Sequence, residues 1–313
     1  MKPWGNLQAE QRRAVLERAL RKATKCLRDG KVASYIPELM RADGKQLGLC
    51  VLDHEAAPLT LGDANVPFTI QSIGKVAALL LALKKEGYDE VFARIGMEPS
   101  GAPFSEFTTL GDFSDKPSNP FINSGAIVLS SLLAADMDFS AYLDYLRALC
   151  GNPDLLVDEA VCASESAHSD RNHSLAWELK HLQLLSSDLD RSLDFYTRLC
   201  SVRVTAVDLA RFAWVLAHGG RNPQGQLLAT EDNVVIALSL MMTCGLYNGS
   251  GEFAVRSGMP AKSGVGGGIM AVLPGELGIG VFGPALDRNG NSIGGIAILE
   301  ELSRSLHWHA FRK

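Results

Sequence analysis

The sequence predicts an α+β fold: an antiparallel sheet flanked by helices, with a helical subdomain inserted between two sheet-forming ends. Three observations predict it. Strand-like runs lie toward both ends of the chain, at residues 48–53 and 268–282. The stretch between, 88–240, carries apolar residues at three- and four-residue spacing. Toward the C-terminus the pattern changes again, to short apolar runs separated by a turn.

Residues 7–27 have helical periodicity that ends near Gly30. Gly48-Leu49-Cys50-Val51-Leu52-Asp53 reads as a strand, and a second strand is expected within 59–69. An apolar helix starts at Ser72 and stops near Gly87. In the middle, 125–135, 140–149, 170–186, 191–199 and 206–218 carry helical spacing. Residues 268–273, the turn Pro274-Gly275 and residues 277–282 form a strand, a turn and a strand. A helix over 294–307 closes the chain. The expected organisation is one domain, 1–313. Its sheet subdomain is drawn from about 1–75 and 250–313, its helical subdomain from about 76–249. A site belongs in the cleft between them.

Composition narrows the function classes. A hydrophobic content of 47% with 21% charged residues fits a soluble globular protein. The net charge of −5 offers no basic footprint, so no nucleic-acid partner is expected. The polar start, Met1-Lys2-Pro3-Trp4-Gly5-Asn6, has no apolar signal region. Residues 76–83 are too short an apolar run to cross a bilayer. The expectation is a cytoplasmic protein with no membrane partner. Cys26, Cys50, Cys150, Cys162, Cys200 and Cys244 show neither zinc spacing nor a disulfide framework, and read as reduced, partly buried thiols. The histidines form no metal signature; His307 and His309, around Trp308, read as a tail. No metal or cofactor is expected.

The chemistry begins at Ser72-Ile73-Gly74-Lys75, at the head of the apolar helix. Positions three apart share a helix face, so Ser72 and Lys75 lie within reach of each other. A serine hydroxyl needs an adjacent base, and a lysine serves once burial or a positive field lowers its pKa. The first turn of a helix supplies such a field and free N–H groups for an oxyanion. Alone the motif is common, and an N-cap serine with a solvated lysine is its favoured reading. Pro260-Ala261-Lys262-Ser263-Gly264-Val265-Gly266-Gly267-Gly268 changes that. An S-x-x-K followed by a K-[ST]-G strand resembles the acyl-transfer signature of penicillin-binding proteins and serine β-lactamases. The strand edge offers a backbone N–H to the oxyanion, joined by that of the nucleophile. Gly264 and Gly266 are expected to let substrate approach the backbone.

Other patches have bland readings when taken singly. Asn123 and Asn172 read as helix caps, Glu165 as a solvated charge, Tyr196 and Tyr247 as core aromatics. Together with Tyr35-Ile36-Pro37, Glu98-Pro99-Ser100-Gly101, Asn119-Pro120, Asp170-Arg171-Asn172, Leu199-Cys200-Ser201 and Leu286-Asp287, they resemble the serine-dependent glutaminase family over nearly the whole chain. The resemblance implies a β-lactamase/transpeptidase-like fold and hydrolysis of L-glutamine to L-glutamate and ammonia. By position, Ser72 matches the nucleophile and Lys75 its base. Tyr35, Ser72, Asn123, Glu165, Asn172, Tyr196, Tyr247 and Val265 match the substrate pocket. The backbone N–H groups of Ser72 and Val265 would form the oxyanion hole. Tyr247 is the first candidate for the proton relay and Tyr196 the second. The family also implies a homodimer or homotetramer. The chain is similar to the short bacterial form, without the ankyrin repeats of the animal enzymes. It departs from the family pattern at Ser34 and at Gly283-Pro284-Ala285, away from the pocket positions.

The assignment suits the substrate. Glu165 fits an α-ammonium, while the asparagines and tyrosine hydroxyls fit a carboxylate and an amide. Two other readings share these residues: a β-lactamase or D,D-peptidase, and a glutamine-binding protein without turnover.

Overall fold

A computed structural model describes residues 3–100 and 115–312. Gly101, the last residue of the Glu98-Pro99-Ser100-Gly101 patch, lies outside them. Helix α1 (Ala9–Thr24) precedes strands β1 (Gly48–Leu52), β2 (Leu59–Gly62) and β3 (Phe68–Thr69). Helix α2 (Gly74–Arg94) opens a helical stretch. It continues through α3 (Asn123–Ala134), α4 (Phe139–Cys150), α5 (Glu159–Ala167), α6 (Asp170–His181) and α7 (Leu189–Cys200). After β4 (Arg203–Val204) come α8 (Ala206–Ala217), α9 (Glu231–Cys244) and α10 (Ser250–Arg256). Strands β5 (Ala261–Ser263), β6 (Gly268–Leu273) and β7 (Leu277–Phe282) and helix α11 (Ile293–Leu306) complete the chain.

Five strands form an antiparallel sheet in the order β2-β1-β7-β6-β5. Both faces are buried, which explains why its central strands lack polar alternation. Leu49 and Val51 of β1, Ile279 and Val281 of β7, and Ile269 and Ala271 of β6 join the core with α1 and α11. Cys50, Leu52, Met270 and Val272 point the other way, into the core shared with the helical stretch. On that face β7 has glycines. A Cβ at Gly280 would lie 1.9 Å from the Ala206 carbonyl oxygen, and one at Gly278 2.2 Å from the Trp214 nitrogen. Helix α8 therefore lies directly on the sheet backbone, although its sequence sits inside the helical stretch.

Several expectations are refined. The strand expected in 59–69 is two strands: β2 belongs to the main sheet, and β3 pairs with β4 in a separate two-stranded sheet. Gly62 at φ 60 turns the chain between them. The helix expected to stop near Gly87 breaks there, at φ 82 and ψ 173, then resumes to Arg94. Helix α9 is not among the expected helices; Thr230-Glu231-Asp232, a cap followed by acidic residues, starts it, and Thr230 Oγ1 accepts from the Asn233 N–H at 3.3 Å. The C-terminal tail is not loose, because Trp308 is fully buried against Trp4 with ring centroids 5.2 Å apart.

Candidate active site

The short turn Gln71–Ile73 carries Ser72 onto the N-terminus of α2, and Lys75 occupies that helix's first turn. Gln71 holds φ 50, a left-handed conformation that a non-glycine residue adopts at a cost. The turn is clamped from the sheet side. A Cβ at Gly264 would meet the Ile70 carbonyl oxygen at 2.7 Å, and one at Gly266 the Thr69 oxygen at 2.4 Å. These glycines therefore admit the nucleophile's own turn, not the substrate as the sequence suggested.

Lys75 is buried, and its Nζ donates to the Phe121 carbonyl at 3.1 Å and to Asn123 Oδ1 at 2.8 Å. Asn119 shapes that acceptor pair: its Oδ1 accepts from the Phe121 and Ile122 N–H groups at 3.0 and 3.2 Å. Asn123 does not cap α3, since Ile122 holds the cap position; its Nδ2 donates instead to Asn172 Oδ1 at 3.2 Å. Asn172 lies in the first turn of α6, and Glu165 in the last turn of α5. Neither asparagine is thus a cap.

Tyr35 reaches the site from the loop before β1. Ile36 and Leu39 pack on Val161 of α5, with Val265 against the same cluster. That packing fixes the Tyr35 loop, α5 and the β5–β6 turn together. The Tyr35 hydroxyl donates to Glu165 Oε1 at 2.5 Å and lies 3.1 Å from Gln71 Oε1. The β5–β6 turn uses the Gly264 and Gly267 N–H groups for its own closure, toward Gly268 and Gly264 carbonyls.

Tyr247 follows α9. A Cβ at Gly245 would fall 1.8 Å from the Ala261 oxygen, so the helix end meets β5 only because that residue is glycine. Tyr247 then takes φ 52, and its hydroxyl lies beside Ser72. The Tyr196 hydroxyl is engaged with Cys200, and Lys75 Nζ lies 5.7 Å from the Tyr196 ring centroid. Lys262, fully buried, donates to the Ser263 carbonyl at 2.6 Å and sits 4.8 Å from the Tyr247 ring centroid.

Burial dominates the electrostatics. It brings the Lys75 ammonium down to about 8, against the opposing influence of Cys200 and Glu165. It pushes Lys262 far below the usual lysine range, and the neighbouring Lys75 charge pushes the same way. The Tyr247 phenol rises to about 12 through burial, moderated by the neighbouring Ser72. Burial also raises the Glu165 carboxyl, opposed by hydrogen bonds from Tyr35 and Gln71.

All eight predicted pocket residues line one cavity of about 360 Å³, with Lys75 beneath it. Sequence reasoning missed Gln71, His168, Arg171, Thr197 and Cys200 in that lining. Cys200 had a signal: it lies four residues after Tyr196, hence on the same face of α7. No cluster of metal-ligating side chains occurs among the described residues.

The glutaminase family model matches residues 30–311. The chain belongs to the glutaminase family. It is 44% identical to a glutaminase of Alkaliphilus metalliredigens over 282 residues, covering 88% of this chain and 92% of that one. A Clostridium tetani glutaminase is 42% identical over 301 residues, covering 95% and 98%. The fold is similar to that of a Bacillus subtilis glutaminase solved as a covalent complex with 5-oxo-L-norleucine, formed by reaction with 6-diazo-5-oxo-L-norleucine. That structure superposes with a TM-score of 0.86 at 33% identity, over 95% of this chain and 98% of that one. The α+β, β-lactamase-like architecture expected for the family is the one described above.

Proposed function

We infer that this chain hydrolyses L-glutamine to L-glutamate and ammonia through a glutamyl ester on Ser72. The observation that carries the reading is the pair of acceptors on the buried Lys75 Nζ, which suits its neutral form. A neutral amine has two N–H donors and one lone pair. The Phe121 carbonyl and Asn123 Oδ1 accept both donors. The lone pair is left for the proton of Ser72, one turn away.

Ser72 Oγ attacks the side-chain carbonyl of glutamine as its proton passes to Lys75. The oxyanion takes hydrogen bonds from the Ser72 and Val265 N–H groups. Collapse of the tetrahedral adduct breaks the C–N bond, and the nitrogen leaves as ammonia with the proton that Ser72 gave up. Tyr247 is the better-placed relay, because its hydroxyl meets Ser72 whereas that of Tyr196 meets Cys200. Water then attacks the ester; its proton returns through the same groups and Ser72 is regenerated. Glu165 pairs with the α-ammonium, and Asn172, Tyr35 and Tyr196 surround the rest of the amino-acid head.

Ammonia release from L-glutamine by the wild type and by Ser72→Ala, with L-asparagine as control, tests this. Turnover that vanishes in the variant supports it. Glutamine-induced thermal stabilisation without turnover would leave only the binding-protein reading. We also propose a homodimer or homotetramer in the cytoplasm, on the family resemblance alone; sedimentation velocity tests the assembly and cell fractionation the location. Among the described residues, no single helix is long and apolar enough to cross a membrane.

A further inference from the structure

Gln71 joins the nucleophile's turn to the carboxylate that faces the substrate's ammonium. It precedes Ser72 in the chain, is 3% exposed and lines the pocket. Its amide oxygen lies 3.1 Å from the Tyr35 hydroxyl, and its amide nitrogen donates to Thr69 Oγ1 at 3.3 Å. The same Tyr35 hydroxyl donates to Glu165 Oε1 at 2.5 Å, and the Gln71 amide itself lies beside Glu165. The Gln71 backbone holds φ 50 between two pinned neighbours. The Ile70 N–H donates to the Val202 carbonyl at 2.8 Å, and the Ile73 N–H closes the turn on the Ile70 carbonyl at 3.2 Å. A non-glycine residue persists in that conformation only where its surroundings enforce it.

We propose that Gln71 is a positioning residue that ties recognition of the substrate's α-ammonium at Glu165 to the aim of the Ser72 N–H at the oxyanion. The inference rests on the glutaminase reading above. The Ser72 N–H belongs to the rigid peptide plane that begins at the Gln71 carbonyl, so rotation within Gln71 swings that donor. An oxyanion donor is worth most when its direction is fixed before the reaction. The side chain that leaves this same backbone reaches Tyr35 and Glu165. An ammonium seated on Glu165 favours the ionised carboxylate, which accepts hydrogen bonds and gives none. The carboxylate then holds the Tyr35 hydroxyl and the Gln71 amide, and these hold the strained turn. A substrate amide without the α-ammonium leaves Glu165 without its cation and this line of contacts slack. Binding energy from the remote amino-acid head is thus used at the reacting centre, and selectivity for the free amino acid is expressed in turnover as well as in binding.

A double-mutant cycle on kcat tests the tie. Gln71→Met keeps the length of the side chain and removes its amide. With saturating L-glutamine, Gln71→Met lowers kcat by about tenfold, less than the roughly 10²–10³-fold that loss of an oxyanion donor costs. Its KM for glutamine changes by less than about threefold, because the interaction serves the transition state. Glu165→Gln lowers kcat by about the same factor, beside its effect on KM. In the double variant the two losses do not multiply: adding Gln71→Met to Glu165→Gln costs less than about twofold in kcat. Gln71→Gly, whose backbone accepts φ 50 without strain, serves the same cycle if Gln71→Met does not fold. It loses kcat likewise, because the side chain carries the tie. Losses that multiply in folded variants overturn the proposal. So does a Gln71→Met enzyme with raised KM and unchanged kcat, the mark of a residue that only binds. A wild type that releases no ammonia from glutamine overturns the underlying glutaminase reading instead, before any variant is compared.

Discussion

Replacing Lys75 with Met separates its two roles, as base and as buried amine. Burial brings its pKa from 10.5 to about 8. At pH 7 about one enzyme in ten then carries the neutral base, at pH 8 about half, and at pH 9 about nine in ten. The kcat/KM of the wild type for glutamine should rise about tenfold between pH 7 and 9 and then level off. Lys75→Met should lose roughly 10²–10⁴-fold and the acidic limb with it. Stability carries the same signature. Between pH 8 and 10.5 the unfolded chain holds a proton on Lys75 that the folded chain does not, so wild-type stability rises with pH across that window. That lowering corresponds to about 3 kcal/mol, fully expressed as a penalty below pH 8 and relieved by 10.5. Lys75→Met has no such group, although it leaves the Phe121 carbonyl and Asn123 without their donor, at about 1–3 kcal/mol. Urea unfolding of both proteins at pH 7 and pH 10 measures the difference. The wild type should gain about 2–3 kcal/mol on the variant between those values. An acidic limb with its midpoint below pH 7, or a stability difference that ignores pH, would refute Lys75 as a base whose pKa burial has lowered.

Further outcomes follow from individual contacts. Treatment with 6-diazo-5-oxo-L-norleucine should place a single label on Ser72 by peptide mass spectrometry; a label elsewhere removes Ser72 as nucleophile. Tyr247→Phe should lower kcat by about 10²-fold or more and Tyr196→Phe by less, since only the former hydroxyl lies beside Ser72; the reverse order in steady-state kinetics would exchange the two roles. Glu165→Gln should raise KM for glutamine by about 10–100-fold, the worth of one charge-assisted contact, and an unchanged KM would place the α-ammonium elsewhere. Gly280→Ala should destabilise by about 1–3 kcal/mol or more, read as a lowered Tm, because its Cβ meets the Ala206 carbonyl at 1.9 Å. An unaltered Tm would mean that α8 stands off the sheet.

What the sequence made legible and what it hid divide along a physical line. Ser72, Lys75 and Lys262-Ser263-Gly264 are legible because their chemistry is written in local spacing, and the motif resemblance extends this to Asn123, Glu165 and Asn172. The glycines of β7 read only as weak strand interior; their purpose depends on α8, about seventy residues away in the chain. His168, Arg171 and Gln71 were not singled out because nothing in their type or spacing says which side of a loop or helix turns to the cavity. Trp308 looked like tail because burial against Trp4 joins the two ends of the chain, a contact no local window contains.

The two buried lysines draw these threads together. A buried ammonium without a counter-ion is among the most destabilising groups a core can hold, and here two amines lie close enough to repel. A scaffold concerned with stability alone would favour apolar side chains at both positions. Held neutral, the pair is tolerable, and neutrality is the form in which Lys75 takes a proton from Ser72. The proximity of Lys262 makes it harder for both to be charged at once, and its Nζ is tied to the Ser263 carbonyl beside Tyr247. The feature that weakens the fold is therefore the one that arms the nucleophile. The strained Gln71 and Tyr247 backbones on either side of Ser72 fit the same logic, since strain persists only where surrounding packing enforces it. Relieving either lysine by an apolar substitution should stabilise the fold at neutral pH only to the extent that the carbonyls it leaves behind find water, and in each case at the expense of turnover.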